Sequence, residues 1–323
     1  MSAAPGAVAE RPRAPASAVH SRPAALALLV ALVIVWGVHW VVVKEGLRYF
    51  PPLTYGALRL ATALITMIVI LAPGGHLRRP PREDAPVIIS VALLQMAAGV
   101  LIMNFALQAV PAGRSSVLVY TMPLWVAALL WLRFRATPRR NELLGLAIGV
   151  VGIVILVNPA VIDWALPAEL AGTLALIVDG MLWAIVTIHI RRHHWRSSPL
   201  ELQPWMLLVA LLPVLAATLV IEPGRAIRWE PASVAVLLYS GPLATAFAFW
   251  ASQSITRSLG PISSAMGFLA TPVVGLLAGA LLLHEQLGLA DLAGFGLVLA
   301  GIGAATLLPA RSGAARAATS EPV

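Results

Sequence analysis

The sequence predicts an all-α membrane protein: ten transmembrane helices arranged as two inverted five-helix repeats, with both termini cytoplasmic. Three observations carry that expectation: an extreme apolar composition, ten apolar runs of near-membrane length, and a second half that repeats the first. Of 323 residues, 59% are hydrophobic and 11% charged, and the mean hydropathy is +0.88, more apolar than a soluble surface tolerates. A helix rises about 1.5 Å per residue and the hydrocarbon slab is about 30 Å thick, so each crossing takes about 20 apolar residues. Runs bounded by charge, proline or glycine fall near 24–43, 54–72, 86–105, 112–132, 141–158, 168–190, 202–221, 233–254, 262–283 and 288–308.

The first run sets the N-terminal boundary. Residues 1–23, rich in Ala, Pro and Arg, read as a disordered cytoplasmic leader. The stretch Ala24 to Val43 exceeds the ~7–15 residues of a signal-peptide core, so it reads as a membrane helix. The expected organisation is then 1–23 leader, 24–158 first repeat, 168–308 second repeat and 309–323 cytoplasmic tail.

Orientation follows from charge, because cytoplasmic loops are enriched in Lys and Arg. With the N-terminus inside, sixteen fall on that face, among them Arg78, Arg79, Arg82, Arg139, Arg140, Arg191, Arg192 and Arg196. Five fall on the other, Lys44, Arg48, Arg114, Arg225 and Arg228, and Arg59 lies within a span. The expected setting is multi-pass in a bacterial inner membrane.

The repeat is visible with a single two-residue offset. A shift of 149 sets Ser115 on Ser264, Pro123 on Pro272, Gly145 on Gly294 and Gly152 on Gly301, and brings Asn104 onto Gln253. A shift of 147 sets Trp36 on Trp183. Five crossings is an odd number, so the second copy enters from the opposite side, an architecture typical of alternating-access transporters.

Composition also excludes functions. The net charge of +8 lies in short clusters between apolar runs, without a basic stripe beside stacking aromatics, so nucleic-acid binding is not expected. Zero cysteines exclude disulfides and thiolate metal sites. The single lysine, Lys44, follows Val41-Val42-Val43 rather than a glycine loop, and no nucleophile elbow or metal-binding motif is present. No enzyme, cofactor or metal is expected.

In their order along the chain, Trp36-Gly37 leading to Lys44, Arg59, Gly113-Arg114 running to Tyr120-Thr121-Met122-Pro123, then Pro272, Glu285, Gly294 and Gly301, the sequence resembles the drug/metabolite transporter superfamily, EamA-type ten-helix exporters, over about residues 26–308. The resemblance implies export of amino acids, other small metabolites or drugs from the cytoplasm. Three features depart from the family pattern: Val38-His39 after Trp-Gly, Ala136 at the position paired with Glu285, and Asp179 where a small apolar residue is usual.

Candidate substrate-binding residues are the polar and aromatic groups inside the spans. Asp179 lies mid-run, where an ionised side chain costs about 2.5–3.5 kcal/mol even on insertion scales, so it reads as a cavity-facing group that binds an ammonium or exchanges a proton, or as a hydrogen-bond partner within the bundle. Trp183 shares its helix face. Trp36, Trp40 and Lys44 form a stripe at i, i+4 and i+8, with His39 beside it. Trp36 reads as cavity lining, Trp40 as part of the interfacial aromatic belt and Lys44 as snorkelling to the interface. Arg59 either snorkels or turns inward toward an anion, and His39 either couples protons or is simply hydrogen-bonded. Asn104 and Gln253 either contact a polar substrate or join helices, and Tyr120 reads as lining on the family resemblance.

Pro123 and Pro272 fall mid-span and read as hinges, since each removes a backbone hydrogen bond. His189, His193 and His194 read as a basic interfacial loop, and Glu285 as an anchor at the cytoplasmic end of the ninth run. The glycines of the fifth and tenth runs serve packing within a monomer, or a weak homodimer.

The expected function is secondary export of small organic metabolites, amino acids foremost, by alternating access. The alternatives are proton-coupled efflux of cationic drugs, with Asp179 as the proton-exchanging acid, and a non-transporting membrane receptor or scaffold.

Overall fold

The computed structural model describes residues 22–134, 140–157, 167–259, 268 and 270–307. Most of the expected leader and all of the expected tail lie outside that set, as do Ser264 and Ala136. Among the described residues the chain is helical throughout, without strands.

Seven helices are long and apolar enough to cross a membrane: α1 (Pro23–Gly46), α2 (Pro52–Leu71), α3 (Arg82–Ala106), α4 (Ala112–Arg133), α6 (Pro167–Arg192), α7 (Pro199–Ile221) and α8 (Pro231–Thr256). Three more, α5 (Arg140–Val157), α9 (Ala270–Leu282) and α10 (Leu289–Leu307), are apolar over shorter stretches, and each borders residues outside the described set. The protein is a multi-pass membrane protein.

The helix ends are chemically marked. Proline opens α2, α6, α7 and α8, where its missing N–H costs no hydrogen bond. Ser198 and Glu201 form a capping box on α7. At the far end of α7, the Glu222 carboxylate accepts from the Leu53 and Thr54 amides at 3.3 and 2.9 Å, capping α2.

Two helices contain a π-helical segment, Val91–Ala97 in α3 and Tyr239–Phe247 in α8. The 149-residue shift carries the first onto 240–246, inside the second. In α8 this wider turn lets carbonyls accept from side chains: Ala244 from Trp36, Ser240 from Thr245, and Ala246 from Gln203. Apolarity profiles average over several turns and carry no sign of a single extra residue in one of them.

Helix packing exchanges under the same correspondence. α1 packs on α9 and α8, and its counterpart α6 packs on α4 and α3; α2 packs on α8, and α7 on α3. α2 meets α7, and α5 meets α10, each helix against its own counterpart. The α5–α10 contact is made by glycines: a methyl on Gly152 would lie 2.8 Å from the Gly294 carbonyl oxygen, and one on Gly301 2.6 Å from that of Gly145. These are the four glycines that the repeat superimposes, Gly145 on Gly294 and Gly152 on Gly301, and each contacts a member of the other pair. Backbone cannot withdraw as a flexible side chain would, so Gly301→Leu is expected to destabilise by at least about 1–3 kcal/mol. An unchanged melting temperature in detergent would contradict this packing.

α4 breaks at Tyr120–Thr121, between Ala112–Val119 and Met122–Phe134, just before Pro123; the Pro123 ring itself is outside the described side chains. Pro272 is buried in α9, whose N-terminal approach lies outside the described residues.

Candidate functional site: an aromatic cavity with a buried acid and a buried arginine

A cavity of about 120 Å³ lies inside the bundle, walled by α1, α2, α3, α4, α6, α8 and Phe268. Of the nine residues expected to contact a substrate, eight line it: Trp36, His39, Trp40, Arg59, Tyr120, Asp179, Trp183 and Gln253. Asn104 does not. It is fully buried and its Nδ2 donates to the Pro52 carbonyl at 2.8 Å, tying α3 to the start of α2. Asn104→Ala is therefore expected to cost about 1 kcal/mol of stability, the net worth of one such hydrogen bond, with an unchanged KM. A raised KM with unaltered thermal stability would assign it to the site instead.

Asp179 on α6 is 3% exposed, and its Oδ1 is buried without a hydrogen-bond partner. It reaches the cavity across α3 at Gly99, where a methyl would sit 3.2 Å from Oδ1 and 3.5 Å from Trp183 Nε1. Arg59 on α2 is 4% exposed and turns inward rather than snorkelling. Its Nε donates to Thr245 Oγ1 at 2.6 Å, and one terminal nitrogen faces Met103 Sδ at 3.7 Å. Thr245 donates in turn to the Ser240 carbonyl at 2.7 Å, and Ser240 Oγ lies 2.6 Å from the Tyr55 hydroxyl. The π-helical segment of α8 thus holds the guanidinium in place. Arg59 and Asp179 interact through space, yet they form no ion pair within 4.0 Å.

The same cavity has an aromatic wall. Trp36 and Trp183, the pair matched by the repeat, meet edge to face at 5.7 Å, and Phe249 contacts both, at 5.8 and 5.7 Å. Trp36 Nε1 donates to Ala244 O at 3.1 Å, so this ring packs the core and lines the cavity at once. His39 is buried, stacks on Tyr239 at 6.3 Å, and leaves Nε2 unpartnered. Both side-chain polar atoms of Gln253 are buried without partners. A site with an unpaired acid, a buried arginine, an open amide and aromatic walls suits a small molecule carrying both charges and an apolar body.

Several sequence expectations change here. Trp40 is 6% exposed and lines the cavity, so it is not a belt residue. Lys44 does not end in solvent but bonds Glu285 at 2.9 Å. Glu285 therefore sits at the Lys44 end of the bundle, opposite the arginine-rich end where it was expected, because the ninth run starts on the N-terminal face and finishes on the other. His193 is drawn to the fully buried Asp84 at 2.9 Å, and His189 to Ser90 at 2.8 Å, so these two histidines are built into the junction of α3 and α6, while His194 is exposed.

Gln95, Gly99, Met103, Thr187, Phe249 and Ser252 also line the cavity. Gln95 was open to discovery by the signal that found Gln253, an amide inside an apolar span. The others are residue types common throughout membrane helices and carry no such mark.

An all-helical, multi-pass bundle around an aromatic cavity that holds buried charges is the architecture of a membrane transport protein. The EamA-like transporter family model matches twice, over residues 23–158 and 170–307, and the chain belongs to that family. It is 25% identical to the uncharacterized transporter YoaV of Bacillus subtilis, over 85% of this chain and 94% of that one. It is 27% identical to a probable amino-acid metabolite efflux pump of Salmonella typhimurium, over 86% and 92%. It is also 27% identical to the uncharacterized inner membrane transporter YedA of Escherichia coli, over 86% and 89%. A solved crystal structure superposes with a TM-score of 0.63 at 20% identity, covering 90% of this chain and 99% of its own, a likeness of fold alone.

Proposed function

We propose that this protein exports small organic metabolites from the cytoplasm, with amino acids as the substrate class, by alternating access between two inverted five-helix repeats. One observation carries the substrate class: Arg59 and Asp179 face one cavity without pairing with each other. Each buried charge is costly without a counterion, and a zwitterion supplies both. Its carboxylate meets Arg59, its ammonium meets Asp179 Oδ1, and its side chain lies against Trp36, Trp183 and Phe249.

The alternating-access reading draws support from the exchange of helix contacts under the repeat shift, from the two matched π-helical segments, and from the double family match. Ten crossings, cytoplasmic termini and a bacterial inner-membrane location are part of the proposal, supported by the charge bias and by the printed name of YedA. Two relatives carrying the name of amino-acid metabolite efflux pumps point the same way.

The test is efflux from proteoliposomes loaded with a panel of labelled amino acids. Saturable flux of at least one, competed by its neighbours, is expected; flux of none across the panel overturns the substrate class. The unpartnered Asp179 Oδ1 also favours a second reading, proton-coupled efflux of cations. That reading leaves the buried Arg59 in the same cavity without a counterion.

A further inference from the structure

Gln253 differs from the hydroxyl groups around it in the cavity wall. It is 4% exposed, and its Nε2 and Oε1 are both buried without a partner among the described residues. A buried amide left unpaired is costly, and nearly every such group in a folded protein finds a partner. The hydroxyls that line the same part of the cavity have committed their protons within the bundle. Ser252 donates to the Phe249 carbonyl at 2.9 Å, Thr256 to the Ser252 carbonyl at 2.8 Å, and Thr187 to Met122 Sδ at 3.6 Å. The repeat supplies a second contrast. Asn104, which the shift of 149 sets on Gln253, donates to the Pro52 carbonyl and lies outside the cavity lining. Gln253 is one methylene longer and lines the cavity.

The cavity wall is ordered along the bundle. On α8, Thr245 holds Arg59, Phe249 follows one turn later against Trp36 and Trp183, and Gln253 comes one turn after that. Residues four apart share a helix face. Thr245 and Gln253 are eight residues apart, about 12 Å along the helix. On α6 the lining residues Asp179, Trp183 and Thr187 repeat the order, charge first, then ring, then neutral polar group. A zwitterion held at Arg59 and Asp179, with its side chain along the rings, directs the end of that side chain toward Gln253. Long helical side chains lean toward the N-terminus, which for Gln253 is toward Phe249.

A carboxamide carries a donor and an acceptor side by side, so a second carboxamide pairs with it head to head in two bonds. A carboxylate only accepts and leaves Oε1 against another acceptor; an ammonium only donates and leaves Nε2 unpaired; a hydrocarbon satisfies neither atom. Arg191, at the same end of the cavity, is exposed, so its pull on a substrate carboxylate is screened by solvent. We propose that Gln253 selects the substrate's side chain, and that the favoured class is amino acids ending in a carboxamide, with glutamine, which reaches further past the rings, ahead of asparagine. The selection rests on the amino-acid reading and adds the side chain to it.

The test uses proteoliposomes of the full chain loaded with labelled L-glutamine, L-methionine or L-glutamate, side chains of similar length with different ends. Glutamine is expected to show a KM at least about ten-fold below either of the others, each of which leaves part of a buried amide unpaired. Gln253→Leu keeps the bulk and removes the amide, so it is expected to raise the KM for glutamine at least about ten-fold and to lower that for methionine, reversing their order. Methionine or glutamate carried by the natural protein as well as glutamine, or better, overturns the selection and leaves the amino-acid reading standing. An order unchanged in Gln253→Leu does the same. Should that variant fail to assemble, the ranking in the natural protein decides alone. Flux of none of the three or of any other amino acid removes the amino-acid reading itself, and the selection with it.

Discussion

Asp179→Asn is expected to lower amino-acid efflux at least about 30-fold while leaving the fold intact, since removing one partner of a buried charge pair costs about 2–5 kcal/mol. The reasoning starts from cost. Asp179 is held in the bundle with one carboxylate oxygen unpartnered, an arrangement that opposes folding unless a ligand cation compensates. Asparagine keeps the shape and discards the charge, so the empty protein is expected to be at least as heat-stable as the natural one. Flux in proteoliposomes and thermal unfolding in detergent together decide it. A variant that transports normally removes Asp179 from the site; one that loses both flux and stability makes it a structural partner.

Arg59→Met is expected to raise the KM for amino acids at least about 30-fold, by the same loss of a buried charge partner, while amines lacking a carboxylate are transported as before or better. Methionine retains much of the volume against Met103 and gives up the bond to Thr245. The two substrate classes thus respond in opposite directions, which separates the zwitterion reading from cation efflux. Equal loss for both would make Arg59 a scaffold for the α8 π-helical segment rather than a binding group.

The resemblance between the halves made several site residues legible early. Trp36 and Trp183 stood out as a repeat-matched pair and prove to be in contact. Asp179, Arg59 and Gln253 stood out because polar groups are expensive in hydrocarbon. That same criterion also selected Asn104, because burial cost says that a polar group needs a partner without saying whether the partner is a backbone carbonyl or a substrate.

The sequence by itself determined that the chain crosses a membrane repeatedly, that its halves resemble each other, and which few polar groups lie within the spans, because hydrophobicity, charge bias and self-similarity are each written residue by residue. Only the tertiary structure decided that Trp40 and Lys44 turn from the interface to the cavity and to Glu285, and that the π-helical segment of α8 aims carbonyls toward Trp36, Thr245 and Gln203. The physical reason is that a helix face acquires a meaning only from what packs on it. In lipid a lysine, a tryptophan or an extra residue in a turn has several acceptable partners, and the choice among them is made across the bundle between residues about 200 positions apart in the chain.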